Sequence, residues 1–189
     1  GKQQVTDAEG NIKLETTERL NEGYYRTSEY EGRQSSMRSA VVQQFPNDGY
    51  MVRAEAAKKV GYDHGAGNGC DFAFGVALSE ATDGPFYFTD TFTAQYRLSE
   101  QSVGRGNSDS GYQAVRIVMK DLPNDILKDP HIKKWLKLRL PAAIIQAAEH
   151  GYPKDGLRWF FSSYHRHQIA TLGGARRLLR LISSFISPS

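Results

Sequence analysis

Two short β-prone runs, each ending in side chains that can hold a polar ligand, are the feature that most constrains how this chain can fold. Residues 50–53 (Tyr-Met-Val-Arg) end on a cation, Arg53. Residues 86–88 (Phe-Tyr-Phe) are followed at 89–91 by Thr-Asp-Thr, two hydroxyls around a carboxylate. Both runs have the composition of strands. If they are neighbouring strands, their ends lie side by side, and the pattern predicts one pocket lined by Arg53 and residues 89–91.

Length and cysteine content bound the kind of protein. The chain has 189 residues, 39% of them hydrophobic, which suffices for one domain with its own core. Cys70 is the only cysteine, so no disulfide can form within the chain. The sequence contains no apolar run of about 18 residues, so we expect no transmembrane helix. We predict an N-terminal arm over residues 1–48 and a core over residues 49–189.

The hydrophobic pattern predicts a mixture of helices and strands, and therefore an α+β fold. The predicted helices share a three-to-four-residue apolar spacing and cover 34–45, 54–60, 92–102, 126–141 and 168–186. Further strands are predicted where apolar residues alternate or cluster, at 112–120 and 157–163. Residues 142–149 fit either a strand or a helix. Turns or glycine-rich loops are predicted at 46–49, 63–75 and 104–111.

This order of elements resembles the arginine class of mono-ADP-ribosyltransferases. The resemblance implies an α+β fold with a split antiparallel β-sheet core, flanking helices and an N-terminal arm. In that family an arginine on the first core strand binds the NAD phosphates, and Ser-Thr-Ser at a later strand end orders the NAD site. Carried onto this chain, the cofactor-binding residues are Arg53, Thr89, Asp90 and Thr91. An arginine suits this role because its guanidinium is a permanently charged fork for phosphate.

The chain departs from the family at the catalytic carboxylate. The family's Glu-x-Glu is absent between residues 121 and 163, where Glu149 is the only glutamate. Asp90 also places a negative charge where a dianionic cofactor would bind, which should weaken NAD binding. We therefore expect ordinary NAD-dependent transferase activity to be lost, since one such electrostatic contribution is worth about a hundredfold in rate. The alternative is an active transferase that uses Glu149 as its catalytic residue.

Among the family's members, the altered-site type III effectors of plant-pathogenic bacteria are the most similar kind. The resemblance thus implies a virulence effector that is secreted into the host-cell cytoplasm and acts on a host protein or peptide. A non-enzymatic binding module is the alternative. For either, the Tyr- and Arg-rich stretch 24–38 is a candidate partner-binding arm, because rings give contact area and guanidinium groups give directed hydrogen bonds. We select Tyr30, Arg33 and Arg38 as its partner-binding residues.

Charge is divided unevenly along the chain. Residues 1–94 carry nine Lys and Arg against fourteen Asp and Glu, and residues 95–189 carry fifteen against seven. The basic half can be a solvated face or can attract nucleotide phosphate, nucleic acid or lipid headgroups. The basic amphipathic helix over 168–186 can likewise pack on its own core or bind a membrane surface or partner. We expect no DNA partner.

Other chemistries have sparser support in the sequence. His165 and His167 could face a metal together, but surface histidines explain them as well, and we expect no metal. Cys70 and His64 could form a nucleophilic pair. The glycine-rich loop at 63–75 lacks the Lys-Ser/Thr ending of a phosphate-binding loop. Arg53 could also simply pair with Glu55 or Asp90.

Overall fold

The computed structural model describes residues 1–45, 49–99 and 109–186, without the side chains of His64 and Asn68. The strands are β1 (Lys2–Thr6), β2 (Gly32–Gln34), β3 (Phe86–Phe88) and β4 (Phe92–Arg97). The helices are α1 (Leu14–Gly23), α2 (Ser36–Val41), α3 (Ala54–Val60), α4 (Cys70–Ala81), α5 (Ser110–Lys120), α6 (Pro130–Glu149), α7 (Pro153–Phe160), α8 (Arg166–Ile169) and α9 (Leu172–Ile186). None of these helices is long and apolar enough to cross a bilayer.

The chain divides into two compact units. Unit one comprises Gly1–His64 and Cys70–Gly106, and unit two comprises Gly65–Gly69 and Asn107–Ser189, each apart from the undescribed residues. The described strands all belong to unit one, whereas the described part of unit two is helical. The predicted boundary after residue 48 lies within unit one and stays a prediction.

Unit one contains a parallel pair of strands, and a helix covers the edge of β1 that faces away from its partner strand. β1 pairs with β4, and α1 packs on β1. The Asn21 side chain accepts a bond from Gln3 N at 3.0 Å and donates one to Gln3 O at 2.8 Å. Thr17 Oγ1 accepts a bond from Val5 N at 2.9 Å. Side chains of α1 thus replace the neighbouring strand that β1 lacks on this side.

A buried arginine ties β1 to the end of α2. Arg26 is only 3% exposed. Its guanidinium donates to Gln44 O at 2.8 Å, to Gln43 O at 2.7 Å and to Gln3 Oε1 at 2.6 Å. The two carbonyls follow α2, where the helix dipole is negative, which favours a cation. One side chain therefore satisfies three acceptors on two segments, β1 and the residues that follow α2.

Aromatic side chains join the rest of unit one. The Phe45 ring makes edge contacts with Tyr50 and Phe86, at centroid distances of 5.6 and 5.5 Å. Tyr62 stacks on Phe74 at 4.6 Å. β2 and β3 form a short antiparallel pair beside this cluster, with Gly32 opposite Phe88. The cluster connects β3 to α4 and to the segment before α3, since rings in edge and stacked contact bury large apolar areas.

Unit two is a helical cluster around α6. The helices α5, α7 and α9 each pack on it. Leu140, Ile144 and Ala147 on α6 have no measurable exposure. Gly156 on α7 allows a close approach, because a Cβ there would lie 2.5 Å from Leu181 Cδ2 and 3.2 Å from Ala147 Cβ. Helices α6, α7 and α9 therefore meet at one crowded point.

His165 is buried in unit two. It is 1% exposed, and its Nδ1 lies 3.0 Å from the carbonyl oxygen of Phe160. Its buried Nε2 has no hydrogen-bond partner in the part of the chain that the structure describes. Burial lowers the pKa of His165, and the positive charges of Arg177 and His167 lower it further. The neutral imidazole is consequently the form that the fold stabilises.

The α+β class is confirmed, and so are several elements. β3 covers the predicted strand at 86–88, and α3 covers the predicted helix at 54–60. As predicted, α3 ends before Gly61, whose φ is 66°. The C-terminal helix is present as α9. The described strands form two separate two-stranded sheets, one parallel and one antiparallel. The predicted turn at 46–49 and loop at 104–111 lie mostly outside the described residues.

Two predicted strands are wrong, because residues 112–120 lie in α5 and residues 157–160 in α7. Tyr112, Val115 and Val118 are all buried, and their spacing of three suits a helix. In a strand Val115 would lie on the face opposite to Tyr112 and Val118, whereas in a helix the three lie on one side. Packing against α6 decides between them, as tertiary contacts often do.

The predicted strand at 50–53 and the predicted helix at 92–102 are also wrong where the structure describes them. Residues 50–53 lie in no strand, and the Tyr50 ring packs on Phe45 instead. Residues 92–97 form β4, because β1 offers a parallel partner to this β-prone run. Residues 100–102 lie outside the described part of the chain.

Pro141 does not end the helix predicted at 126–141. α6 continues through it to Glu149, so residues 142–149 are helical. A proline inside a helix costs about 3 kcal/mol through a lost backbone bond and a steric clash. The full burial of Leu140, Ala143 and Ile144 on both sides of it offsets that cost.

We expect Arg26→Met to lower the free energy of unfolding by about 2 to 4 kcal/mol, because it leaves buried acceptors without a donor. Urea denaturation followed by far-ultraviolet circular dichroism measures this change. Arg33→Met is the matched control, since Arg33 is exposed on β2 and should cost less than about 0.5 kcal/mol. Equal losses in the two variants would contradict the bonding role given to Arg26.

We expect unit two to lose stability as the pH falls from 8 to 5. The folded pKa of His165 is lowered, so its contribution is complete above the unfolded value of 6.5 and is lost as the pH falls below it. The loss cannot exceed about 1.4 kcal/mol per pH unit for one proton. Urea denaturation followed by the fluorescence of Trp135 and Trp159 measures it. His165→Gln should remove most of the pH dependence and His167→Gln should leave most of it; the reverse order would refute this assignment.

Candidate functional site

The predicted hydroxyl and carboxylate cluster exists at the end of β3. Thr89 Oγ1 and Thr91 Oγ1 lie 3.2 Å apart at hydrogen-bond distance. Asp90 forms an ion pair with Lys2 Nζ at 2.9 Å, and its backbone N–H donates to Glu31 Oε1 at 3.4 Å. Lys2 therefore offsets the negative charge of Asp90. The cluster lies near the surface beside the start of β1.

Arg53 lies in the same unit but on another element. It is exposed and immediately precedes α3, in an extended conformation with φ of −62° and ψ of 128°. Among the described residues its guanidinium forms no ion pair or hydrogen bond, and Asp90 pairs with Lys2. That Arg53 and residues 89–91 line one pocket stays a prediction.

Glu149, the candidate catalytic carboxylate, lies at the end of α6 in unit two. Its Oε1 forms an ion pair with Arg180 Nη2 on α9 at 2.7 Å. The Arg180 side chain is 57% exposed, so this pair lies at the surface and is worth at most about 1 kcal/mol. The pair links α6 to α9, and the catalytic role of Glu149 stays a prediction.

The proposed arm residues are spread over three elements of unit one. Tyr30 makes an edge contact with Tyr25 at 5.4 Å. Arg33 is exposed on β2, opposite Tyr87 in the strand register. Arg38 lies in α2, where its backbone N–H donates to Ser35 Oγ. The stretch 24–38 is therefore part of the folded unit, and its most buried cation is Arg26, which the sequence pattern did not distinguish from its neighbours.

The arrangement of the described side chains gives little support to a metal site or to a Cys–His nucleophile. Among the described residues, no group of three His, Cys, Asp or Glu side chains is placed to hold a metal. His165 is buried while His167 is exposed, so the two do not share one surface. Cys70 begins α4, and the side chain of His64 lies outside the described part of the structure.

A basic cleft in unit two was missed by the sequence analysis. Its volume is about 40 Å³, and it lies between α5 and α7, lined by Arg116, Met119, Lys120, Asp155, Arg158 and Trp159. Tyr112 donates to Asp155 Oδ2 at 2.8 Å and joins the two helices. Burial, and then this bond, raise the pKa of Tyr112, so the phenol stays protonated. The wrong strand prediction for 112–120 concealed that Arg116 and Lys120 lie one helical turn apart.

Several large, exposed apolar side chains of unit two lie on α9. We call Leu172, Leu179, Ile182 and Ile186 the outer stripe; they are 71%, 67%, 47% and 76% exposed. Their spacings of seven, three and four residues place them on one side of the helix. Leu181, which is fully buried, lies farther around the helix. The apolar residues of α9 therefore form one wide face that extends from the buried Leu181 through the half-exposed Phe185 to the outer stripe, and only part of that face packs on unit two.

The comparisons with known proteins give no further guidance. No protein-family model matches the chain, and neither a curated protein nor a solved structure matches it.

Proposed function

We propose that this chain is a non-enzymatic binding protein that attaches to anionic membrane surfaces through α9. The observation that carries the proposal is the outer stripe, four large aliphatic side chains that are 47% to 76% exposed on one helix face. Exposed apolar side chains are common singly, but a contiguous stripe indicates an interaction surface.

The charges of α9 favour an anionic surface. The helix carries Arg176, Arg177 and Arg180 and no acidic residue. At 100° per residue, Arg176 and Arg180 flank the outer stripe, while Arg177 lies on the side that packs on unit two. A helix with an apolar face beside arginines is the kind that lies in the headgroup region of a bilayer.

The expected affinity is modest and depends on anionic lipid. Partial burial of four aliphatic side chains contributes about 1 kcal/mol each, and each arginine near an anionic surface contributes about 1 kcal/mol more. A total of about 6 kcal/mol corresponds to reversible attachment in the tens-of-micromolar range. Without the anionic lipid, the remaining apolar contribution is marginal.

A second copy of the chain is a less suitable occupant of the outer stripe. Two α9 helices packed face to face would bring Arg176 of each copy close to the other, and α9 carries no carboxylate to offset that charge, whereas Arg180 is already paired with Glu149 on α6. Like charges at such a seam oppose association. Lipid headgroups supply the missing negative charge.

The test is co-sedimentation with vesicles of phosphatidylcholine alone or with about 30% phosphatidylserine. We expect binding only to the anionic vesicles, and a more than tenfold loss in the double variant Leu179→Ser, Ile182→Ser. Arg176→Gln should weaken binding severalfold and reduce its salt dependence. Leu138→Ser on α6 is the matched control, because Leu138 is 69% exposed but lies outside the stripe.

Three outcomes would reject the proposal. They are equal binding to neutral vesicles, an equal loss in the Leu138 control, and concentration-dependent dimerisation that disappears in the double variant without any vesicle binding. The last outcome would assign the outer stripe to a second copy.

We keep as a second proposal that the chain is a secreted type III effector with a modified ADP-ribosyltransferase fold. It is supported by the hydroxyls of Thr89 and Thr91, which lie 3.2 Å apart directly after β3, and by the exposed Arg53, which pairs with none of the described residues. A host protein or peptide would be its partner.

Calorimetry with NAD tests this second proposal. Binding that Arg53→Ala removes would support a cofactor site, and no heat at millimolar NAD would reject it. The transferase alternative is tested by incubating the chain with labelled NAD and a cell lysate. Transfer of the label to protein, and its loss in Glu149→Ala, would identify an active transferase. If Glu149 only pairs with Arg180, Glu149→Ala should instead strengthen vesicle binding slightly, because it frees a cation.

A further inference from the structure

We propose that the basic cleft between α5 and α7 binds a phosphate monoester group. Arg116 and Lys120 approach it from α5, and Arg158 approaches it from α7. None of these cations lies within ion-pair distance of a carboxylate in the described part of the chain. Asp155 is the one carboxylate in the lining, so the cleft carries an excess of two positive charges.

The hydrogen bonds of the cleft leave its cations available. Arg116 uses its Nε to donate to Gln113 Oε1 at 3.1 Å, and its two terminal nitrogens have no partner among the described residues. Asp155 is engaged through Oδ2 by the Tyr112 hydroxyl rather than by a cation. Three convergent cations repel one another, and an anion between them relieves that repulsion.

The walls of the cleft are firmly placed. The Tyr112 ring stacks on Tyr152 at 4.4 Å and lies 5.3 Å from the Trp159 ring. Tyr112 and Trp159 are 2% and 4% exposed. The backbones that carry Arg116 and Arg158 are therefore held in position before any ligand arrives, which reduces the entropy lost on binding.

Size and chemistry together select the ligand class. A volume of about 40 Å³ is room for about three waters, or for one tetrahedral oxyanion. The cleft therefore holds the phosphate group, and the rest of the ligand lies outside it; the burial of Trp159 leaves no exposed ring in the lining on which a base could stack. Guanidinium groups hold phosphate oxygens in pairs, and a lysine adds a point charge. The phosphate can belong to a free small molecule or to a lipid headgroup.

The test is a titration of the full chain with inorganic phosphate and with glycerol 3-phosphate, followed by amide and indole NMR signals. We expect the Trp159 indole signal to shift with saturation at millimolar ligand, while the Trp135 indole signal stays in place. Arg158→Gln and Arg116→Gln should each weaken binding about tenfold. Lys154→Gln is the matched control, an exposed cation on α7 that does not line the cleft.

The variant Asp155→Asn distinguishes binding in the cleft from non-specific attraction to a basic surface. It removes the one negative charge from the lining, so binding should become severalfold tighter, whereas a diffuse basic surface would respond hardly at all. Amide spectra check that the variant keeps its fold. Unchanged binding in both arginine variants, or a loss as large in Lys154→Gln, would overturn the proposal.

Two binding measurements, one with free ligands and one with vesicles, distinguish a soluble phosphate from a lipid headgroup. Binding of free phosphate and glycerol 3-phosphate supports a soluble ligand. Arg158-dependent attachment to phosphatidic acid vesicles, without binding of the free ligands, supports a headgroup. No response in either measurement overturns the proposal. The double variant Leu179→Ser, Ile182→Ser should leave free phosphate binding unchanged, so failure of the cleft and failure of the α9 surface are distinguished.

Discussion

The meeting of three helices at Gly156 determines which side of α9 faces solvent. A Cβ at this position would lie 2.5 Å from Leu181 Cδ2 and 3.2 Å from Ala147 Cβ, so only glycine lets α6, α7 and α9 approach this closely. Once Leu181 is seated there, the 100° step of the helix turns Leu179 and Ile182 outward. The exposed stripe is thus a consequence of how the core of unit two closes. A helix that needed only to cover the core would carry polar residues on that outer side.

The two units satisfy their buried polar groups in different ways. In unit one, Arg26 donates to three acceptors, and Asn21 and Thr17 replace a missing strand beside β1. In unit two, helices satisfy their own backbones, and the buried Nε2 of His165 has no hydrogen-bond partner among the described residues. Protonation of that imidazole would place a charge near Arg177, so unit two should lose stability as the pH falls below 6.5.

The sequence predicted an element correctly where its residue pattern was compatible with only one kind of secondary structure. The aromatic run at 86–88 is a strand, Gly61 ends α3, and α9 has the predicted amphipathic character. Prediction failed where local alternation was given more weight than the three-residue spacing of buried residues, as at Tyr112, Val115 and Val118, and where burial outweighs a helix breaker, as at Pro141. The basic cleft depends on helices that are distant in sequence, α5 and α7, so no local pattern indicates it. The buried role of Arg26 likewise depends on carbonyls seventeen and eighteen residues away.

The most direct test of membrane attachment is a spin-label scan of α9 in a Cys70→Ser background, with a single cysteine introduced in turn at Leu172, Leu179, Ile182 and Ser184. Accessibility to oxygen and to a polar nickel complex is measured with and without anionic vesicles. The account predicts that labels on the outer stripe gain oxygen contact and lose nickel contact when vesicles are added, whereas the label at residue 184, on the other side of the helix, does not. Equal changes at all four positions, or none at any, would contradict it.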